Sequence, residues 1–265
     1  MTSRNNSLVK RFREAARRER RDDVVLLDGE HLLVEAIRSQ VPLEVVAFAA
    51  DAAGERLATL AERCVRTGVR VVAVPDTLLP VISPVRQPSG VVALAKLTAA
   101  SLEGALSAQP PQLSMMLDHV QDPGNVGAII RAAEACGATA VVAGPGTADP
   151  FGWKALRGSM GSAFRLPVAS AGDTAAAIDA ARQAGLQVFA TVPRGGTPLA
   201  AADLRGPAAI IVGGEGAGLP DELLAAADGS LTIGMHGAVE SLNVSVAAAI
   251  VLYEASRQRA HVAVR

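Results

Sequence analysis

The 265-residue chain reads as an α/β protein: a mostly parallel sheet with helices on both faces forms its larger C-terminal part, and a small α/β unit precedes it. Three observations predict this. From Leu113 onward, short apolar runs alternate strictly with stretches of helical period, the pattern of parallel strands joined by crossover helices. Several of these runs end in polar, glycine-rich turns that lead into helices, as ligand-binding edges of such sheets do. Between the two halves, Thr98 to Gln112 is rich in Ala, Ser and Gln and ends in Pro110-Pro111, so 98–111 is expected to be a linker between domains 1–97 and 112–265.

The elements follow in order. A basic helix occupies the first 21 residues, and the apolar run Val24 to Leu27 is a short strand. Gly29 introduces a helical pattern that runs through Ile37. Leu43 to Ala49, Val69 to Val74 and Gly90 to Ala95 are expected strands, with helices over Ala53 to Thr67 and near Asp76 to Val81. In the second half, strands are expected at Leu113 to Leu117, Ala140 to Ala143, Arg165 to Val168, Leu186 to Thr191, Ala208 to Val212 and Leu231 to Ile233. Helices fall near Val126 to Cys136, Pro150 to Met160, Asp173 to Ala184 and Leu219 to Ala226, and Ser241 to Arg259 closes the chain.

Half of the residues are apolar but only 3% are aromatic, so the core must be built of Ala, Val, Leu and Ile. No apolar run approaches the ~18 residues that span a bilayer, and the N-terminus is polar and basic rather than a signal sequence. A soluble cytoplasmic protein with no membrane partner is expected. Cys64 and Cys136 lack the spacing of a zinc or redox pair, and His31, His119, His236 and His261 are scattered, so no metal site is expected.

The net charge of −1 conceals an asymmetry. Residues 1–21 hold eight Lys and Arg against Glu14 and Glu19, or +6, which leaves −7 for the remainder. Such an arm suits a polyanion, because Lys and Arg displace counterions from phosphates. Lys10, Arg11, Arg13, Arg17 and Arg18 are its candidate RNA-binding residues; a solvated helix with no partner is the alternative.

Polar residues interrupt the apolar periodicity in three places: LDHVQDPGNVGAIIRAAEACGA from Leu117, IIVGGEGAGLPDEL from Ile210, and VESLNVSVAAAIVLYE from Val239. In the first, Asp122-Pro123-Gly124 is a strong turn signal, which puts Asn125 at the start of the helix that carries Arg131. A helix cap for Asn125 and an ion pair with Glu134 for Arg131 are the structural alternatives. In the second, the glycines lack the G-x-G-x-x-G spacing and the later acidic residue of a dinucleotide fingerprint.

Taken together and in this order, Asn-Val-Gly-x-Ile-x-Arg (Asn125 to Arg131), Gly-x-Glu-Gly-x-Gly-Leu (Gly213 to Leu219) and Ile-x-Met…Ser-Leu-Asn-Val-Ser (Ile233 to Ser245) resemble the three motifs of the SpoU (TrmH-type) RNA 2′-O-ribose methyltransferases. The resemblance covers roughly residues 112–259. It implies a fold that periodicity does not reveal, in which the C-terminal chain passes through a trefoil knot. It also implies S-adenosyl-L-methionine as methyl donor and a homodimer whose partner completes the RNA site. Donor binding is then expected of Gly213, Ile233 and Leu242, with Gly214, Glu215, Gly218, Met235 and Ser241 around them. Asn125, Arg131, Glu215, Asn243 and Ser245 are the expected catalytic set, Arg131 also contacting RNA, and Ser241 is a candidate cap for the last helix.

Arg131 is assigned in this family as proton acceptor, but a guanidinium stays protonated at accessible pH, which favours a phosphate clamp instead. Gly234 and His236 flank Met235 where the family more often has Pro and a small residue, so His236 is either a titrating neighbour of the donor pocket or a neutral loop substitution. The first domain is similar to the ribosomal-protein-like substrate domain of ribosomal RNA members, carried by Asn6 to Arg21, Val24 to Ile37 and Pro88 to Leu94. This favours ribosomal RNA, 23S in particular, with tRNA methylation and a non-catalytic ribosome-assembly role as alternatives.

Overall fold

The computed structural model describes residues 6–17, 23–50, 54–107, 112–216 and 218–260. Arg18 of the basic arm and His261 fall outside them. The chain divides into two compact units, one holding the described residues up to Thr98 together with Phe151–Arg165, the other holding Ala99–Pro150 and the chain from Leu166 onward.

In the first unit, α1 (Ser7–Arg17) begins where Asn6 Oδ1 accepts the Leu8 N–H at 2.9 Å, and it turns Leu8, Val9 and Phe12 inward. The following elements are β1 (Val24–Asp28), α2 (Glu30–Arg38), β2 (Leu43–Ala49), α3 (Glu55–Arg66), β3 (Arg70–Val74), α4 (Leu79–Ile82) and β4 (Val91–Lys96). The sheet order is β1-β4-β2-β3, with β4 antiparallel to both neighbours and β2 parallel to β3. Leu26, Val45, Val92 and Leu94 meet α1 in one apolar cluster. Burial pushes the Cys64 thiol of α3 above its ordinary range.

The second unit opens with a correction. The expected linker contains a helix, α5 (Leu102–Leu106), capped by Ser101 Oγ on the Gly104 N–H at 3.0 Å, and Ala105 and Leu106 are buried in the core. Its amphipathic spacing was too short to outweigh the surrounding Ser, Gln and Pro. Then come β5 (Leu113–Asp118), α6 (Pro123–Ala135) and β6 (Ala140–Ala143), followed after an excursion by β7 (Val168–Ser170), α8 (Thr174–Gln183), β8 (Gln187–Thr191), β9 (Thr197–Pro198), β10 (Ala208–Gly213), α9 (Asp221–Ala226), β11 (Gly229–Thr232) and α10 (Val244–Ala260). These strands form one seven-stranded sheet, β7-β6-β5-β10-β8-β11-β9, in which every pairing is parallel.

One face of that sheet packs Met116, Val142, Val188 and Ile211 against α5, α8 and α9. Side chains alternate across a strand, so the other face is left to α6 and α10, which pack on each other. The strand expected over Arg165 to Val168 starts only at Val168: Ser162–Phe164 is a 3-10 turn, and Pro167, with no N–H to donate, contributes its carbonyl to Val141 N–H at 3.0 Å. The excursion itself holds α7 (Trp153–Ser159), which packs on β1 in the first unit with Trp153 against its core, whereas the boundary expected from sequence kept it in 112–265. Among the described residues no helix is long and apolar enough to cross a membrane.

Candidate active site

The order β5-β10-β8-β11 brings the C-terminal ends of four parallel strands side by side, which is where open α/β sheets bind ligands. Thr191 ends β8 and Val192 and Pro193 follow it; Gly213 ends β10 and Gly214, Glu215, Gly216 and Gly218 follow; after β11 come Ile233 and Met235. With Ser241 to Val244 and Ala247 from the start of α10, they enclose a cavity of about 470 Å3, within the ~300–1,000 Å3 of small-molecule sites. All eight residues expected to hold the donor line it. His236 does not, and it is exposed.

The glycines are required by contact. A Cβ on Gly214 would lie 2.0 Å from the His119 carbonyl oxygen, and one on Gly213 would lie 2.5 Å from the Gly218 carbonyl carbon. Gly214 and Gly218 bridge each other, closing the turn into a tight loop that brings bare main chain to the cavity wall. Val212, Leu231 and Leu242 supply apolar walls. An apolar slot beside exposed main chain suits the adenine and ribose of S-adenosylmethionine, so the lining fits that group.

Four polar side chains converge at the mouth of this cavity. Pro123 starts α6 at a position where its missing N–H costs nothing, and Asp122 Oδ1 caps the helix by accepting the Asn125 N–H at 2.9 Å. The Asn125 side chain is thereby free of capping, and its amide donates to Glu215 Oε1. Asn243 Nδ2 donates to Asn125 Oδ1 at 3.1 Å and reaches the same Glu215 oxygen at 3.4 Å. Asn243 Oδ1 in turn accepts from the Ser245 hydroxyl at 2.6 Å and from the Ser245 and Val246 N–H groups at 2.9 and 3.3 Å. Asn243, not Ser241, is therefore the cap of α10, and the helix begins at Val244. Arg131 lies two turns along α6, exposed, with no hydrogen bond to these four among the described residues.

Sequence reasoning missed the Thr191–Pro193 edge of the cavity, whose only signal was its place at a strand end before Gly195-Gly196. It also missed the pair behind the glycine turn. Asp118, buried at the end of β5, accepts the Thr174 hydroxyl at 2.5 Å and faces His119 Nδ1 at 2.9 Å, and His119 takes a left-handed φ of 55°. Among the described residues no group of three or more His, Cys, Asp or Glu side chains is gathered as a metal site would be.

Motif, fold and pocket together define a class: an α/β protein with a cofactor-sized cavity at the carboxyl ends of a parallel sheet, closed by a polar cluster. The SpoU rRNA Methylase family profile matches residues 112–253, and the chain belongs to that family. Over 95% of this chain and 96% of that protein, it is 32% identical to the 23S rRNA (guanosine(2553)-2′-O)-methyltransferase RlmP of Bacillus subtilis. The crystal structure of an AdoMet-bound rRNA methyltransferase from Sinorhizobium meliloti superposes with a TM-score of 0.85 at 31% identity, covering 97% of each chain. A TrmH/SpoU tRNA modifying enzyme from A. aeolicus matches 61% of this chain and 82% of its own, at 27% identity and a TM-score of 0.52.

Proposed function

We propose that this protein methylates a ribose 2′-oxygen of ribosomal RNA, 23S rRNA in particular, with S-adenosylmethionine as donor, and acts in the cytoplasm as a homodimer with a knotted C-terminal domain. The observation that carries the reading is the hydrogen-bonded cluster Asn125, Glu215, Asn243 and Ser245 at the mouth of the cavity. Ribosomal RNA is favoured over tRNA because the rRNA relatives match 95–97% of the chain, and so both units, while the tRNA enzyme matches 61% of it.

Gly213, Ile233 and Leu242 would hold the donor, chiefly through main chain and apolar contact. When bound, it supplies a methyl group already activated by a positive sulfur. What remains for the protein is alignment and the removal of one proton from a weak acid. Glu215 is a scaffold rather than a base: its Oε1 is engaged by two side-chain amides, which fixes the rotamers of Asn125 and Asn243. The Ser245 hydroxyl gives its hydrogen to Asn243, so its lone pairs face outward to accept from a ribose hydroxyl. Arg131, exposed and always charged, clamps the neighbouring phosphate and stabilises the developing alkoxide, and the proton leaves through that phosphate or water.

A second copy of the chain is supported by one apolar groove of about 480 Å3 between α6 and α10, formed by Ala128, Ala132, Val246, Ala249, Ile250 and Tyr253. Tyr253 is 65% exposed and Val246 47%, and Ser245 borders both this groove and the polar cluster. A partner seated there would bring its own surface beside the site. The test is transfer of tritium from labelled S-adenosylmethionine to total ribosomal RNA and total tRNA, by wild type and Asn125→Ala. Alkali-stable label in ribosomal RNA that disappears in the variant is expected; label in tRNA alone, or donor binding without transfer, would overturn the reading.

A further inference from the structure

The first unit has a cavity of its own, about 520 Å3 and wholly within that unit. Stretches far apart in sequence build it: the end of β1 with the first turns of α2, Arg56 on α3, the 85–89 loop before β4, and Arg157 and Met160 at α7. Sequence reasoning placed the unit's nucleic-acid contacts on α1. In the fold, one face of α1 is core and its cations stand on the other, exposed face, where no described cavity is lined by them. The cations that converge on a concave surface are others: Arg38, Arg56 and Arg157, with the imidazole of His31.

Arg38 is held by Glu35 and Arg56 by Glu30, a lining carboxylate, each at 2.8 Å; Arg157 is exposed, has no hydrogen-bond partner among the described residues, and acts on the Asp28 carboxyl of the same cavity by its charge alone. The same lining carries apolar side chains, Leu32, Val34, Val85 and Met160, interleaved with the cations: Val34 lies one turn before Arg38 on α2, and Met160 one turn after Arg157 at α7. Gln87 and Ser89, both exposed, offer side-chain donors and acceptors between the two. At the bottom Asp28, 6% exposed, accepts the Ser83 hydroxyl at 2.5 Å.

We propose that this cavity receives one unpaired nucleotide of the RNA substrate. Its base lies on Val34, Val85 and Met160, its edge is read by Gln87 and Ser89, and its phosphate is bound by Arg157 with Arg38 and Arg56 beside it. Unpaired RNA bases are recognised in this way, splayed onto apolar or guanidinium surfaces and hydrogen-bonded at their edges, whereas a stacked base pair cannot enter a concave pocket. A free phosphate would leave the apolar part of the lining without a partner. The inference rests on the reading of the chain as an RNA-modifying enzyme.

The test uses the full chain and 23S rRNA transcribed with scattered 4-thiouridine. Photo-crosslinks should fall on 85–89 and 157–160; crosslinks confined to α1 or to the second unit would overturn the proposal. Arg157→Ala should weaken binding of the same transcript about tenfold and lower the salt slope by about 1, with Arg157→Lys restoring most of the affinity. Gln87→Trp, which fills the cavity from an exposed position, should weaken binding without altering the affinity for S-adenosylmethionine. Uridine monophosphate should compete for the crosslink better than inorganic phosphate; equal competition would mean an anion site only and would overturn it. If both variants bind RNA as wild type while methyl transfer proceeds, the pocket proposal fails and the enzyme reading stands. If crosslinks map to the pocket but no RNA is methylated, the reverse holds.

Discussion

Asn243 serves two purposes with one side chain: its oxygen caps α10, while its nitrogen binds the cluster that faces the substrate. The two can be separated, because serine caps as well as asparagine but carries no amide. Asn243→Ser should keep stability within about 0.5 kcal/mol, whereas Asn243→Ala should lose about 1 kcal/mol, read by urea unfolding. Both should lower methyl transfer at least about tenfold, since either leaves Asn125 and Glu215 without their shared donor. Arg131→Lys tests the clamp: measurable turnover with weaker RNA binding is expected, and complete loss of turnover at wild-type RNA affinity would contradict it. At this scale the motif residues were legible because polar side chains stood where apolar ones were due. His119 was not, since a left-handed φ on a histidine follows from the approach of the glycine turn and not from its neighbours in sequence.

The elements of the second sheet were legible where periodicity was sustained. β6 and β10 begin where the apolar runs begin, and α8 lies within its expected span. α5 and β9 were not, being too short for a period to register, and α5 owes its place to the burial of Ala105 and Leu106 rather than to propensity. One tie between elements is titratable. Asp228, just before β11, accepts the Val188 N–H of β8 at 2.7 Å and two bonds from Arg182 of α8. Burial pushes its carboxyl up, but the Val188 and Arg182 contacts outweigh this and hold it below its ordinary 3.8. A depressed folded value means that the stabilisation is present above about pH 4 and is lost as pH falls through the folded value. The stability gap between wild type and Asp228→Asn, followed by urea midpoints, should therefore be open at pH 7 and close progressively below pH ~4; a gap independent of pH would show that the charge is irrelevant.

For the whole molecule, the decisive surface is the groove between α6 and α10. Ile250 and Tyr253 are exposed beside buried Val251 and Leu252, so α10 carries apolar side chains toward solvent as well as toward the core. If the proposed dimer forms through this groove, light scattering should give a mass of two chains for the wild type and of one for Ile250→Asp, with methyl transfer reduced and S-adenosylmethionine binding retained; a wild type of one chain, or a variant of unchanged mass, would contradict that dimer. The division of the chain into two units was not legible in full. The first unit is left at Thr98, ahead of the proline-rich stretch, and nothing in composition marks the return of Phe151–Arg165 to it, because an apolar helix reads alike whichever core it joins.

That return has a consequence for synthesis. Translation delivers residues in order, and domains fold as units while the chain emerges. The first unit is encoded first, yet β1 acquires its α7 neighbour, and the core its Trp153, only after the strands β5 and β6 of the other unit have left the ribosome. The nascent N-terminal unit thus waits with an uncovered apolar flank for some fifty residues of intervening chain (99–150), a window in which it is open to chaperones and proteases although its own sheet is complete.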